Sequence, residues 1–180
     1  MKTVLIASAL ALCLPLAASA EECTLSTNQP VLDYGQSQRT QLMEGSREGR
    51  HLLVGTRVIT VNLSCVASTA MALSFNGEAA GEKGYRFAQG GFFTLKVLSA
   101  QLDGNPVRLV KRAGERSVEG VADMLRPGVS LVPVGQSLIA RGTQFSAQVE
   151  VKTYVDERDT EARSRNEWEG GGHFSVDTFF

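Results

Sequence analysis

Arg57-Val58-Ile59-Thr60-Val61-Asn62-Leu63-Ser64-Cys65 alternates apolar and polar residues at every step. Ile59, Val61, Leu63 and Cys65 share one face and Thr60, Asn62 and Ser64 the other, the period-two signature of a strand buried on one side. The strand delivers Cys65 to the core. Met71, Leu73 and Phe75 then alternate with Ala72, Ser74 and Asn76 before an Asn76-Gly77 turn. Phe93, Leu95 and Val97 alternate with Thr94 and Lys96, and Asp103-Gly104-Asn105-Pro106 marks a hairpin turn before Val107 to Val110. Phe145, Ala147, Val149 and Val151 alternate with Ser146, Gln148, Glu150 and Lys152, giving the cleanest half-buried strand.

Helical periodicity is scarce. The best stretch, Ser117 to Leu125, is short and ends at Arg126-Pro127-Gly128, so helix is expected to be minor. Gly77 to Gly91 and Asp156 to Gly172 are rich in glycine and charge and read as long surface loops. Many short strands with glycine-marked turns predict an antiparallel β-sandwich.

Residues 1–20, MKTVLIASALALCLPLAASA, carry Lys2, an apolar run from Val4 to Leu16 and the triplet Ala18-Ser19-Ala20. This pattern predicts a secretory signal peptide cleaved after Ala20, and the run is short for a transmembrane helix. A lipoprotein reading would acylate Cys13, but Leu12 is large where that processing wants a small residue. The remaining 160 residues, 180 less 20, suit a single domain over 21–180. Without Lys2 the basic count is 18 − 1 = 17 against 19 acids, a charge of −2 that predicts neither nucleic-acid binding nor attraction to anionic lipid.

Two cysteines remain, Cys23 and Cys65, and an even pair in an exported chain predicts a disulfide. No third cysteine or nearby histidine completes a metal site, and no cofactor is expected. His51 and His173 read as solvated loop residues, and no G-x-S-x-G elbow accompanies them. The mixed charges Glu115-Arg116, Asp156-Glu157-Arg158-Asp159 and Glu161-Ala162-Arg163-Ser164-Arg165 are ordinary for solvated loops. No catalytic residue is assigned, and an enzyme is not expected. Asn62-Leu63-Ser64 matches a glycosylation sequon in form only, because it lies within a predicted strand. Trp168 and Tyr85, both in expected loops, are candidates for sugar stacking set against a structural role.

Taken together, Cys23-Thr24-Leu25, Asp33-Tyr34-Gly35, Val58 to Cys65 and Phe75-Asn76-Gly77 resemble the chaperone-usher fimbrial subunits of Gram-negative bacteria. That family similarly places a cysteine near the start and an alternating strand ending in cysteine before an F-x-G segment. Leu138-Ile139-Ala140-Arg141-Gly142 and Phe145 to Tyr154 look like its late strands. The resemblance implies an immunoglobulin-like, pilin-type sandwich that lacks its last strand. Its open groove would be filled by a periplasmic fimbrial chaperone, then by a neighbour's extension, with an usher and other fimbrial subunits as further partners. The implied role is adhesion and pilus assembly, in the periplasm or on the cell surface.

Two features depart from the family. Strand-donating subunits carry about ten alternating residues before the first cysteine, whereas only Glu21 and Glu22 precede Cys23 here, so this chain is expected to donate no strand and form no homopolymer, sitting at a tip where a subunit only accepts or serving as an accessory protein that never polymerises. The chain also continues past Tyr154, which the alternation of Val149 and Val151 does not turn inward without a slip or bulge. It finishes with a strand candidate whose Phe174, Val176, Thr178 and Phe180 share a face, after a Gly170-Gly171-Gly172 hinge. This strand could be gripped by a chaperone, fill its own domain's groove, or act as the terminal signal of an outer-membrane barrel. The barrel ranks last, because it needs about eight strands with aromatic girdles and the chain is only 7% aromatic. A self-contained periplasmic binding module and a small outer-membrane β-barrel are the alternative functions.

Overall fold

A computed structural model describes residues 23–112, 118–135, 138–161 and 167–179; the predicted signal peptide and Phe180 lie outside them. The elements begin β1 (Cys23–Thr27), α1 (Arg39–Glu44), β2 (Arg47–Glu48), β3 (His51–Gly77), β4 (Tyr85–Phe87) and β5 (Gly91–Leu102). They continue β6 (Asn105–Pro106), β7 (Arg108–Arg112), β8 (Val118–Val121), β9 (Met124–Leu125) and β10 (Leu131–Gly135). Last come β11 (Leu138–Ile139), β12 (Arg141–Asp156), the 3-10 turn η1 (Glu157–Thr160) and β13 (Gly172–Phe179). All the strand pairs are antiparallel, and the order β4-β5-β12-β3-β10-β7-β8 is open at both ends among the described residues.

The two predicted strands at 57–65 and 71–77 form one run of 27 residues. At roughly 3.3 Å per residue, such a strand cannot stay straight inside a domain of this size. The bend is visible in its pairing with β12. Gly142 faces Thr69, but Gln144 faces Ser64, so Thr143 alone spans the four residues 65–68. Asp103 holds this irregularity, its Oδ1 accepting the Thr143 and Gln144 amides at 3.0 and 2.8 Å and the Thr143 hydroxyl at 3.1 Å.

Before the bend, β3 lies between β1 and β12; after it, β3 pairs with β13 and, at Leu131, with β10. Ile59 pairs with Val149, and Val149 with Val97, so inward residues of three strands form a row. Ile59, Val61, Leu63 and Cys65 from before the bend share one buried cluster with Met71, Leu73 and Phe75 from after it. One strand thus supplies both walls of the core, and burying each such aliphatic side chain stabilises by about 1.5–3 kcal/mol.

The expected disulfide is present. Cys23 and Cys65 are direct cross-strand partners with Cα atoms 4.1 Å apart. The irregularity expected at Tyr154 is also present, as a register shift between Thr153 and Tyr154.

Other expectations change. Val118–Val121 and Met124–Leu125 are strands, because pairing with β7 and β5 overrides a weak local helical pattern. The described helix is α1, six residues that bury Leu42. The loop expected at 77–91 contains β4, whose Tyr85 pairs with Phe93. The hairpin at Asp103-Gly104 closes through only two pairs, after which β7 leaves β5 for β10.

Candidate functional site

β13 is the strand on which the candidate partner-binding residues fall. It runs antiparallel to the far half of β3, with Phe174 opposite Phe75, Val176 opposite Leu73 and Thr178 opposite Met71. Alternation turns Phe174 and Val176 onto the main core. Thr178, in phase with them, is exposed close to the end of the ladder, and Phe180 lies outside the described residues. Phe179, of opposite phase, packs on a second apolar cluster of Ala72, Val110, Val132 and Val134, with the Arg112 guanidinium 4.4 Å from its ring centre. The three described residues, Phe174, Val176 and Thr178, are therefore not one uniformly buried face.

Gly170 and Gly172 serve close approach rather than a positive-φ hinge. A Cβ on Gly172 would strike the Phe75 ring and the Asn76 carbonyl, and one on Gly170 would meet Phe87. The chain into β13 can hug the aromatic cluster only without side chains there.

The other edge of β13 has no strand partner among the described residues. At its first residues, Gly172 to Phe174, β13 borders a groove of about 1300 Å³. One wall is the segment from Leu25 to Ser37 and the other is Glu167 to Phe174. Ile59, Phe75, Phe93, Leu95 and Val151 lie along its bottom, all members of the main core. An open cleft thus runs down to the inside of the sandwich.

Tyr34 braces one wall. Its hydroxyl lies 2.9 Å from the Thr153 hydroxyl, its ring covers Gly55, and the Arg57 guanidinium sits 5.1 Å from the ring centre. Asp33 fixes the turn that follows, accepting the Gly35 amide at 2.7 Å, with Gly35 at φ 68°. That positive φ is why glycine stands there. The groove residues Tyr34, Ile59 and Val151 were hidden as a site in the sequence, where the last two read simply as inward strand positions.

The sugar-stacking candidates separate. Trp168 is half-buried, packs against the core and lines the groove. Tyr85 is fully buried in a strand, its hydroxyl donating to the Phe75 carbonyl at 3.0 Å, so it offers no stacking surface. His51 is likewise no solvated loop residue. It is 6% exposed and meets the Phe92 ring edge-on at 5.0 Å. His173 is exposed at the start of β13. Among the described residues no group of three metal-ligating side chains gathers, and no helix is long and apolar enough to cross a membrane.

No family model and no curated protein matches the chain. Among solved structures it is similar to the P pilus rod subunit PapA, at 11% identity and a TM-score of 0.40, over 87% of this chain and 99% of that one.

Proposed function

We propose that this chain is an exported, non-enzymatic fimbrial-type subunit or fimbria-associated protein that accepts an extended β-strand from a partner. The partner on this reading is a periplasmic chaperone or a neighbouring subunit. The carrying observation is the second edge of β13, which has no strand partner among the described residues, together with the groove at its first residues that reaches core residues Ile59, Phe93 and Val151. A free edge offers a row of backbone donors and acceptors, and a cleft with an apolar bottom takes every second side chain of an added strand. The Cys23–Cys65 disulfide fits a protein that matures outside the cytoplasm.

Hydrogen exchange resolved at single residues tests this. In the isolated mature protein, the β13 amides pointing away from β3 should exchange rapidly, and those bonded to β3 slowly. The rapid set should become protected in a complex with the fimbrial chaperone of the same cell. Edge amides already protected in the isolated protein, or unchanged in the complex, would refute strand acceptance.

A further inference from the structure

The groove is electrically lopsided. Among the described residues its charged lining is Asp33, Asp159, Glu167 and Glu169 against Arg39, a balance of 1 − 4 = −3, with Asp33 accepting the Gly35 amide and Asp159 the Gly90 amide. Arg39 is itself engaged, 3.7 Å from Glu161 and donating to the Thr160 hydroxyl at 3.2 Å. The four acids gather at one end. Asp33 adjoins Tyr34 where it meets Thr153 near the end of β12, Asp159 lies in η1 just beyond β12, and Glu167 and Glu169 precede β13. Towards the disulfide the lining is uncharged, with Leu25, Thr27 and Gln29.

We propose that the strand this groove accepts carries lysine or arginine at the end lying beside Glu167 and Glu169, and uncharged residues towards the disulfide. This rests on the strand-accepting reading above and adds the partner's charge and its direction. A neutral apolar strand laid along the cleft would strip water from the exposed Glu167 and Glu169 carboxylates without replacing it, which is unfavourable. A cation there restores their partners. The reversed strand would bring its cation to the uncharged end, so the lopsided charge fixes orientation more than raw affinity.

Synthetic peptides of about ten residues, alternating valine and threonine, provide the probe. One pair carries two lysines or two glutamates at the N-terminus, and a second pair carries them at the C-terminus. Trp168 is the only tryptophan and lines the groove, so its fluorescence reports occupancy in the mature protein. At one terminus only, replacing lysine by glutamate should weaken binding about fivefold at low salt and much less at about 0.5 M salt. Both Glu167 and Glu169 are exposed, and the double variant E167Q/E169Q should fold normally and lose that discrimination. Binding that is indifferent to charge, equally sensitive at both termini, or unchanged in the double variant would overturn the polarity while leaving strand acceptance intact. Failure of every peptide to bind would overturn both.

Discussion

Phe174 sits directly across from Phe75, their ring centroids 5.0 Å apart and inclined at 76°. Phe75 also meets Tyr85 at 4.7 Å and Phe93 at 5.8 Å, so one aromatic cluster ties the last strand to β3, β4 and β5. Phe174→Ala removes a partly buried ring from this cluster and should cost about 2–3 kcal/mol in urea unfolding, with Phe174→Asp costing more. Thr178→Asp, on an exposed side chain of the same strand, should stay within about 0.5 kcal/mol. Equal tolerance of all three would show that β13 contributes nothing to the fold.

Strand phase was legible where one face is buried and the other wet. Ile59, Val61 and Leu63, or Phe145, Ala147 and Val149, announce their inward faces by alternation alone. Pairing was not legible, because period two says which way a side chain points and not which strand lies beside it. The sequence therefore suggested Phe174 and Val176 as inward without revealing β3 as their neighbour. The bend at 65–68 was hidden because it arises from a β12 register held by distant Asp103. His51 was misplaced because its burial comes from Phe92, forty-one residues along the chain, 92 less 51. The groove was invisible for the same reason, its walls being built from segments far apart in sequence.

Cys23 and Cys65 are 42 residues apart in the chain. By the chain-entropy argument, closing such a loop stabilises by about 4 kcal/mol. The double variant C23A/C65A should lose that order of stability in urea unfolding, and reduction of the native protein should do the same. Wild-type material treated with an alkylating agent before reduction should stay unlabelled. Two reactive thiols, or an unchanged unfolding midpoint in the variant, would contradict the bond.

Asp103 is depressed below its ordinary value of 3.8, chiefly because its carboxylate accepts the Gln144 amide, against a smaller opposing effect of burial and with further help from the Thr143 amide and hydroxyl. Since the folded-state value lies below the unfolded one, this stabilisation is complete above about pH 4 and is lost as the pH falls through the folded value. Asp103→Asn should destabilise at neutral pH by about 1 kcal/mol and have little effect once the wild-type carboxylate is protonated. Urea midpoints for both proteins between acid and neutral pH check this, and a gap that does not close in acid would show that charge on Asp103 is irrelevant.

Tyr85 gives the opposite dependence at the alkaline end. It is fully buried, donates its hydroxyl to the Phe75 carbonyl, and stacks against Phe93 at 5.5 Å. Burial penalises the phenolate and pushes the phenol up to about 12. A folded value above the unfolded one means that the contribution is fully present below about pH 10 and is lost as the pH rises towards 12. Raising the phenol from 10 to about 12 corresponds to roughly 3 kcal/mol between those limits. In an alkaline absorbance titration, the Tyr85 phenolate should therefore appear only together with loss of the folded circular dichroism signal. Tyr85→Phe keeps the ring in the aromatic cluster but strands the Phe75 carbonyl, so it should lose about 1 kcal/mol at neutral pH. It should also lack the steep decline between pH 10 and 12, so its urea midpoint should approach or pass the wild-type one there. Ionisation of Tyr85 in the folded protein near pH 10, or parallel alkaline profiles for the two proteins, would place its hydroxyl in water instead of in the core.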